Sequence, residues 1–165
     1  MKASKLILLL AVMCIAAVSC KKEELQIDKD KDIIKNYLNE HNISAQEINK
    51  VYYVENVVGT GEQCKAGDTV AIKYIVKSLK NPETVLDNQS NIALQLILPS
   101  APTSNSSVLY GLQIGLPTMK EGGKTTFYIP ATYAYGRDTL KNNETYANLI
   151  YDVELCEIIH QGKRH

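Results

Sequence analysis

Apolar and polar positions alternate, cluster and break along this chain in a way that predicts most of its elements. From Asp28 to about His41, Ile33, Ile34, Tyr37 and Leu38 recur at helical spacing among charged residues, which predicts one amphipathic helix. Asp28, Asp30 and Asp32 stand near its N-terminal end, where the helix dipole favours negative charge. Val51-Tyr52-Tyr53-Val54 then opens a series of strands, and Gly59-Thr60-Gly61 turns the chain. Thr69 to Lys77 reads as a strand, Asn81-Pro82-Glu83-Thr84 as a turn, and Ile92 to Leu98 as a further apolar strand with Leu94 and Leu96 on one face. Pro99 to Ser107 is polar and rich in turn formers, so it predicts a long loop.

The densest signals lie between Val108 and Gly136. Val108, Leu109, Leu112 and Leu116 fit one face of a short helix, and Met119 ends the apolar run. Glu121-Gly122-Gly123-Lys124 makes a turn, Thr125 to Ile129 alternates as a strand, and Pro130 stops it before a tyrosine-bearing loop that closes on Gly136. Several strands with one short central helix define an α+β fold built on an antiparallel sheet.

The N-terminus has a different character. Lys2 and Lys5 precede an apolar run from Leu6 to Val18, which ends in Ala17-Val18-Ser19-Cys20. The run is short for a membrane span of about 20 residues, and the pattern is that of a secretory leader, with the small-residue site before cysteine similar to a bacterial lipobox. Residues 1–19 are therefore expected to be a lipoprotein signal peptide, with Cys20 the lipidated N-terminus. Residues 20–50 would be a linker and amphipathic helix, and residues 51–165 the folded domain. This places the protein in a bacterial cell envelope, anchored by lipid to a membrane, the outer membrane being expected, with the domain in the periplasm or at the cell surface.

Composition narrows the function. The 18 basic residues equal the 18 acidic ones, and loss of Lys2 and Lys5 with the leader leaves a small net negative charge. There is no basic patch with interleaved aromatics, so no nucleic-acid partner is expected. Barely two heptads of amphipathic helix are too few for a dimerising coiled coil, and a monomer is expected. Of four cysteines, Cys14 lies in the leader and Cys20 would carry the lipid. Cys64 and Cys156 remain, and in an oxidising compartment they either pair or stay as buried thiols. No His or Cys stands at ligand spacing, so neither metal nor cofactor is expected.

Taken together, Met119-Lys120-Glu121-Gly122-Gly123-Lys124, Tyr128-Ile129-Pro130 and Ala134-Tyr135-Gly136 resemble the FKBP-type peptidyl-prolyl isomerases. Gly67 to Tyr74 looks like that family's second strand with its pocket tyrosine, Val85-Leu86-Asp87 like its apolar-Asp pair, and Leu149 to Leu155 like its closing strand. The resemblance is colinear from about Val51 to Ile159. It implies an FKBP-like antiparallel sheet wrapped around the short helix, and an enzyme that accelerates rotation about X-Pro bonds in exported, proline-containing, unfolded or extended polypeptides. An FKBP-fold peptide-binding or chaperone lipoprotein with little turnover is the alternative.

The resemblance also assigns roles. Tyr74, Asp87 and Tyr135 would be catalytic, with Tyr135 offering its hydroxyl to a substrate carbonyl and Asp87 polarising the site. Leu112 would form the floor under the proline ring, and Leu86, Val108 and Tyr151 the walls. Leu94 would stand for a further wall, and the backbone N–H of Leu109 would bind the chain after proline. Such a site needs no nucleophile. The barrier of about 18–20 kcal/mol is amide resonance, and a dry cavity that prefers the twisted amide lowers it. This chain departs from the pattern in having no Trp, Leu112 where active members have an aromatic floor, Leu86 in place of an aromatic wall and Tyr151 in place of phenylalanine. Arg137 to Tyr146 lacks the proline-rich cap. A wider, more polar rim and reduced activity are expected.

Overall fold

The computed structural model of the protein describes residues 24–140 and 144–159, so the proposed leader and Cys20 lie outside the described residues. The first helix, α1, covers residues 24–40 and thus reaches back beyond Asp28. Six strands follow: β1 (Gln46–Ile48), β2 (Val51–Val57), β3 (Thr69–Ser78), β4 (Val85–Ile97), β5 (Lys124–Ile129) and β6 (Leu149–Ile159). The central helix α2 (Tyr110–Gly115) lies between β4 and β5 and runs on into a 3-10 turn, Leu116–Thr118. All pairings are antiparallel, in the order β1-β2-β5-β6-β3-β4. The α+β architecture expected from the alternation is the one observed.

The sheet buries both faces. On one side Val108, Leu112, Ile114 and Leu116 pack with Phe127 and Ile129 of β5, and with Leu149, Tyr151 and Val153 of β6. On the other, Ile34 and Leu38 of α1 meet Tyr52, Leu79, Tyr128 and Ile150. Successive residues of a strand point to opposite faces, so Phe127 and Ile129 serve one layer while Tyr128 serves the other.

The α1 stripe differs from the sequence expectation in one residue. Ile27, Asp30, Ile34 and Leu38 are buried, whereas Ile33 is 52% exposed. At 3.6 residues per turn Ile33 lies about 100° round the helix from Ile34, off the face that meets the sheet. The place it was expected to share goes instead to Asp30, a carboxylate.

Helix α2 sits unusually close to β5. A Cβ on Gly111 would overlap the Ile129 side chain, and one on Gly115 would lie 2.7 Å from Phe127 Cε1. Two glycines four residues apart let the helix backbone rest on those side chains. Strand β4 is longer than expected because Val85 to Asp87 and Ile92 to Ile97 form a single strand. Leu94 pairs with Ile72, yet Gln89 pairs with Tyr74, so Ser90 to Ala93 form an irregularity that leaves Ile92 exposed.

Cys64 and Cys156 are both free thiols. Cys64 is buried in the α2-side core, while Cys156 follows Leu155 on β6 and so points to the opposite face. Of the two alternatives left open, pairing gives way to free thiols, of which Cys64 is buried and Cys156 only partly so. Burial, followed by the charge of Asp68, pushes the Cys64 thiol up to about 12.

Candidate active site

A cavity of about 530 Å³ opens at the N-terminal end of α2. Leu112 and Val108 contribute buried apolar surface, Leu109 stands at the N-cap of the helix, and Tyr151 of β6 closes the inner side. Tyr74 of β3 and Leu94 and Leu96 of β4 line another wall, and Tyr133, Ala134 and Tyr135 form the opposite lip. Tyr74, Leu94, Val108, Leu109, Leu112, Tyr135 and Tyr151, separated by up to 77 positions in sequence, thus converge on one cavity. Leu94 and Leu96 do face alike.

Two expected residues are placed differently. Leu86 does not line the cavity. It falls at the irregularity in the β3–β4 pairing between Val76 and Lys77 and packs, half-buried, on the main core. The wall assigned to it is supplied by Leu94 and Leu96. Asp87 is exposed and acts at one remove, with its Oδ2 accepting a 3.0 Å hydrogen bond from the Tyr74 hydroxyl and its Oδ1 accepting one of 2.9 Å from the Asn88 amide.

The site's electrostatics are those of neutral hydroxyls around an apolar floor. The Tyr74 and Tyr151 rings meet at 5.5 Å and 44°. Burial, then the hydrogen bond to Asp87 and its charge, pushes the Tyr74 hydroxyl up to about 12. Tyr151 is pushed up further, chiefly by burial and then by the neighbouring Tyr135. Both phenols therefore remain proton donors at neutral pH. Tyr135 is 41% exposed and lines the cavity at its solvent-facing lip.

Several parts of the site escaped the sequence reading. The polar rim expected from Arg137 to Tyr146 comes instead from the 99–107 loop, which supplies Thr103, Ser104, Ser106 and Ser107, while no described residue of 137–146 lines the cavity. Gln113 holds that loop. It is buried on α2, accepts from the Thr103 amide at 2.8 Å, and donates to the Thr103 and Val108 carbonyls. A lone polar residue inside an apolar helical run was the available signal. Tyr133 meets Tyr110 with ring centroids 4.9 Å apart and planes tilted by 56°, and Thr132 also lines the cavity. Among the described residues no group of three or more His, Cys, Asp or Glu is placed to hold a metal ion.

An antiparallel sheet closed over a short helix, with a tyrosine-lined cavity at that helix's start, defines a class of peptide-binding folds related to prolyl isomerases. The sequence model of the FKBP-type peptidyl-prolyl cis-trans isomerases matches residues 60–156, and the chain belongs to that family. It is 34% identical over 104 residues to FK506-binding protein 3 of Kluyveromyces lactis, a match covering 63% of this chain and 23% of that protein. It is 30% identical over 138 residues to a peptidyl-prolyl cis-trans isomerase of Saccharomyces cerevisiae, covering 83% of this chain and 32% of that one. The chain thus spans less than a third of these relatives. Among solved structures, a peptidyl-prolyl cis-trans isomerase from Pseudomonas syringae shares the fold with a TM-score of 0.63 at 19% identity, over 83% of this chain and 96% of that one. FkpA from Escherichia coli does so with a TM-score of 0.63 at 23% identity, over 93% and 70%.

Proposed function

We propose that this protein is a prolyl isomerase of reduced turnover, acting on extended, proline-containing segments of exported proteins while tethered to a membrane through Cys20. The observation that carries the isomerase reading is the convergence of Leu112, Tyr135 and Tyr151 on one open cavity, in a chain that belongs to the isomerase family. Leu112 and Val108 receive the proline ring. Tyr135 donates to the substrate carbonyl, and the Leu109 amide holds the chain that follows. Asp87 orients the Tyr74 hydroxyl rather than touching the substrate. Planar and twisted amides differ in dipole and shape, and only that difference in binding accelerates the step. Leu112 offers less surface to the twisted form than an aromatic floor, which is the reason turnover is reduced. The tether is supported by the leader pattern and the Ala17-Val18-Ser19-Cys20 site.

The test is isomerisation of a proline tetrapeptide by the protein, with Tyr135→Phe/Asp87→Ala as the control. Slow turnover that falls at least tenfold in the double variant is expected. Turnover as fast as that of an aromatic-floored isomerase, unaffected by the double variant, would contradict both the weakness and the site. Peptide binding with no turnover would favour the chaperone reading, which draws its support from the serine-rich rim and the missing aromatic floor. Palmitate labelling in a bacterial host that persists in Cys20→Ala would refute the tether.

A further inference from the structure

Asp30 of α1 is 1% exposed, although it belongs to a helix whose other charged residues have access to solvent or to a partner at the surface. Its Oδ1 accepts from Gln26 Nε2 at 2.8 Å. Its Oδ2 accepts from the Thr132 amide at 3.0 Å and from Thr132 Oγ1 at 2.7 Å, across 102 residues of chain. Thr132 is the centre of the 3-10 turn Ala131–Tyr133, lines the cavity, and precedes Tyr133 and Tyr135.

We infer that Asp30 is a positioning residue for the tyrosine-bearing loop, so that α1 is a brace for the pocket and not merely a spacer before it. A buried carboxylate is expensive unless its oxygens are satisfied. Docking of α1 does not require one, because Ile27, Ile34 and Leu38 already bury the helix and an apolar residue at position 30 would complete their stripe. What the carboxylate adds is the pair of bonds to Thr132. Asn148 grips the same turn from the other side, accepting from the Ala131 amide at 2.8 Å. Within the turn, the Tyr133 amide donates to the Pro130 carbonyl, and the Ala134 and Gly136 amides donate to that of Ala131. The turn is therefore held at Ala131 by Asn148, the residue before β6, and at Thr132 by α1, and Tyr135 follows its end.

The test uses the full chain, well below its melting temperature, with two readouts. The first is hydrogen exchange at the Tyr133, Ala134 and Gly136 amides. The second, which rests on the isomerase reading, is the dissociation constant for a proline tetrapeptide. Asp30→Ala should speed exchange at those amides about tenfold while leaving β6 protected, and should weaken the peptide about fivefold. Thr132→Val should speed exchange by less, Thr132→Ser should retain wild-type exchange, and Asp30→Ala/Thr132→Val should exchange no faster than Asp30→Ala. Leu38→Ala, two turns away, should lower the melting temperature without moving either readout. Unchanged exchange in Asp30→Ala, or the same change in Leu38→Ala, overturns the inference. If exchange responds as expected but the wild type neither binds nor isomerises the peptide, the brace stands and the isomerase reading fails.

Discussion

Leu112→Trp tests how the floor limits this site. Leu112 is buried at the start of α2 and borders a cavity of about 530 Å³, so an indole has room to extend into open space instead of into packed core. The overpacking that normally accompanies small-to-large changes in a filled core should therefore be small, below about 1 kcal/mol. The gain is apolar area offered to the proline ring. If the indole presents about 40 Å² more than the leucine, at about 25 cal/mol per Å² the added contact stabilises the bound state by about 1 kcal/mol. That corresponds to about fivefold in affinity, and to a similar gain in kcat/KM where the twisted amide makes the better contact. Because the chain contains no Trp, the variant carries a single indole reporter. Its fluorescence should shift when a proline tetrapeptide binds, giving the dissociation constant directly, while a coupled protease assay gives kcat/KM. A folded Leu112→Trp protein whose fluorescence ignores the peptide, or whose kcat/KM is unchanged or lower, would refute the argument that the missing ring limits turnover.

Other substitutions probe the supports of the site. Gly111→Ala forces a methyl into the Ile129 side chain and should cost about 1–3 kcal/mol in urea unfolding, since α2 must lift off β5; an unchanged midpoint would show that the helix adjusts freely. Tyr151 and Tyr135 line the same cavity and influence each other electrostatically, so Tyr151→Phe and Tyr135→Phe should be non-additive by about 0.5 kcal/mol in a double-mutant cycle of stability; strict additivity would mean that the hydroxyls are not coupled. Tyr74 and Tyr128 keep their protons up to about 12 in the fold, whereas an unfolded tyrosine releases its proton near 10. Between those values the native state binds more protons, so stability should fall as pH rises from about 10 to about 12, and less steeply in Tyr74→Phe; an identical slope in that variant would contradict the assignment.

The strands were legible because their signals are local. Alternation over Thr125 to Ile129 and Thr69 to Lys77 marks β5 and β3 to within a residue of their observed limits, and the glycines and prolines around them mark the turns. The cavity was partly legible. Leu112, Tyr135 and Tyr151 were placed by motif, and they do meet. Leu86 was misplaced because it sits at the irregularity in the β3–β4 pairing between Val76 and Lys77, which changes its facing and which no local pattern announces. Gln113 and the 103–107 rim were missed because their roles exist only once α2 and the loop are brought together.

Asp28, Asp30 and Asp32 show where local information stops. Composition and spacing predict a helix with acidic residues near its start and, with Ile34 and Leu38, an apolar stripe. Spacing already sets Asp30, four residues before Ile34 and eight before Leu38, on the apolar face, and Asp28 and Asp32 off it. Only the packed structure shows what that face meets at Asp30, because the seating of α1 on the sheet brings the carboxylate onto Thr132. Periodicity is a property of neighbours along the chain, and the sequence determines it. Helix phase against a distant loop depends on every contact that seats the helix, and the tertiary structure alone decides it.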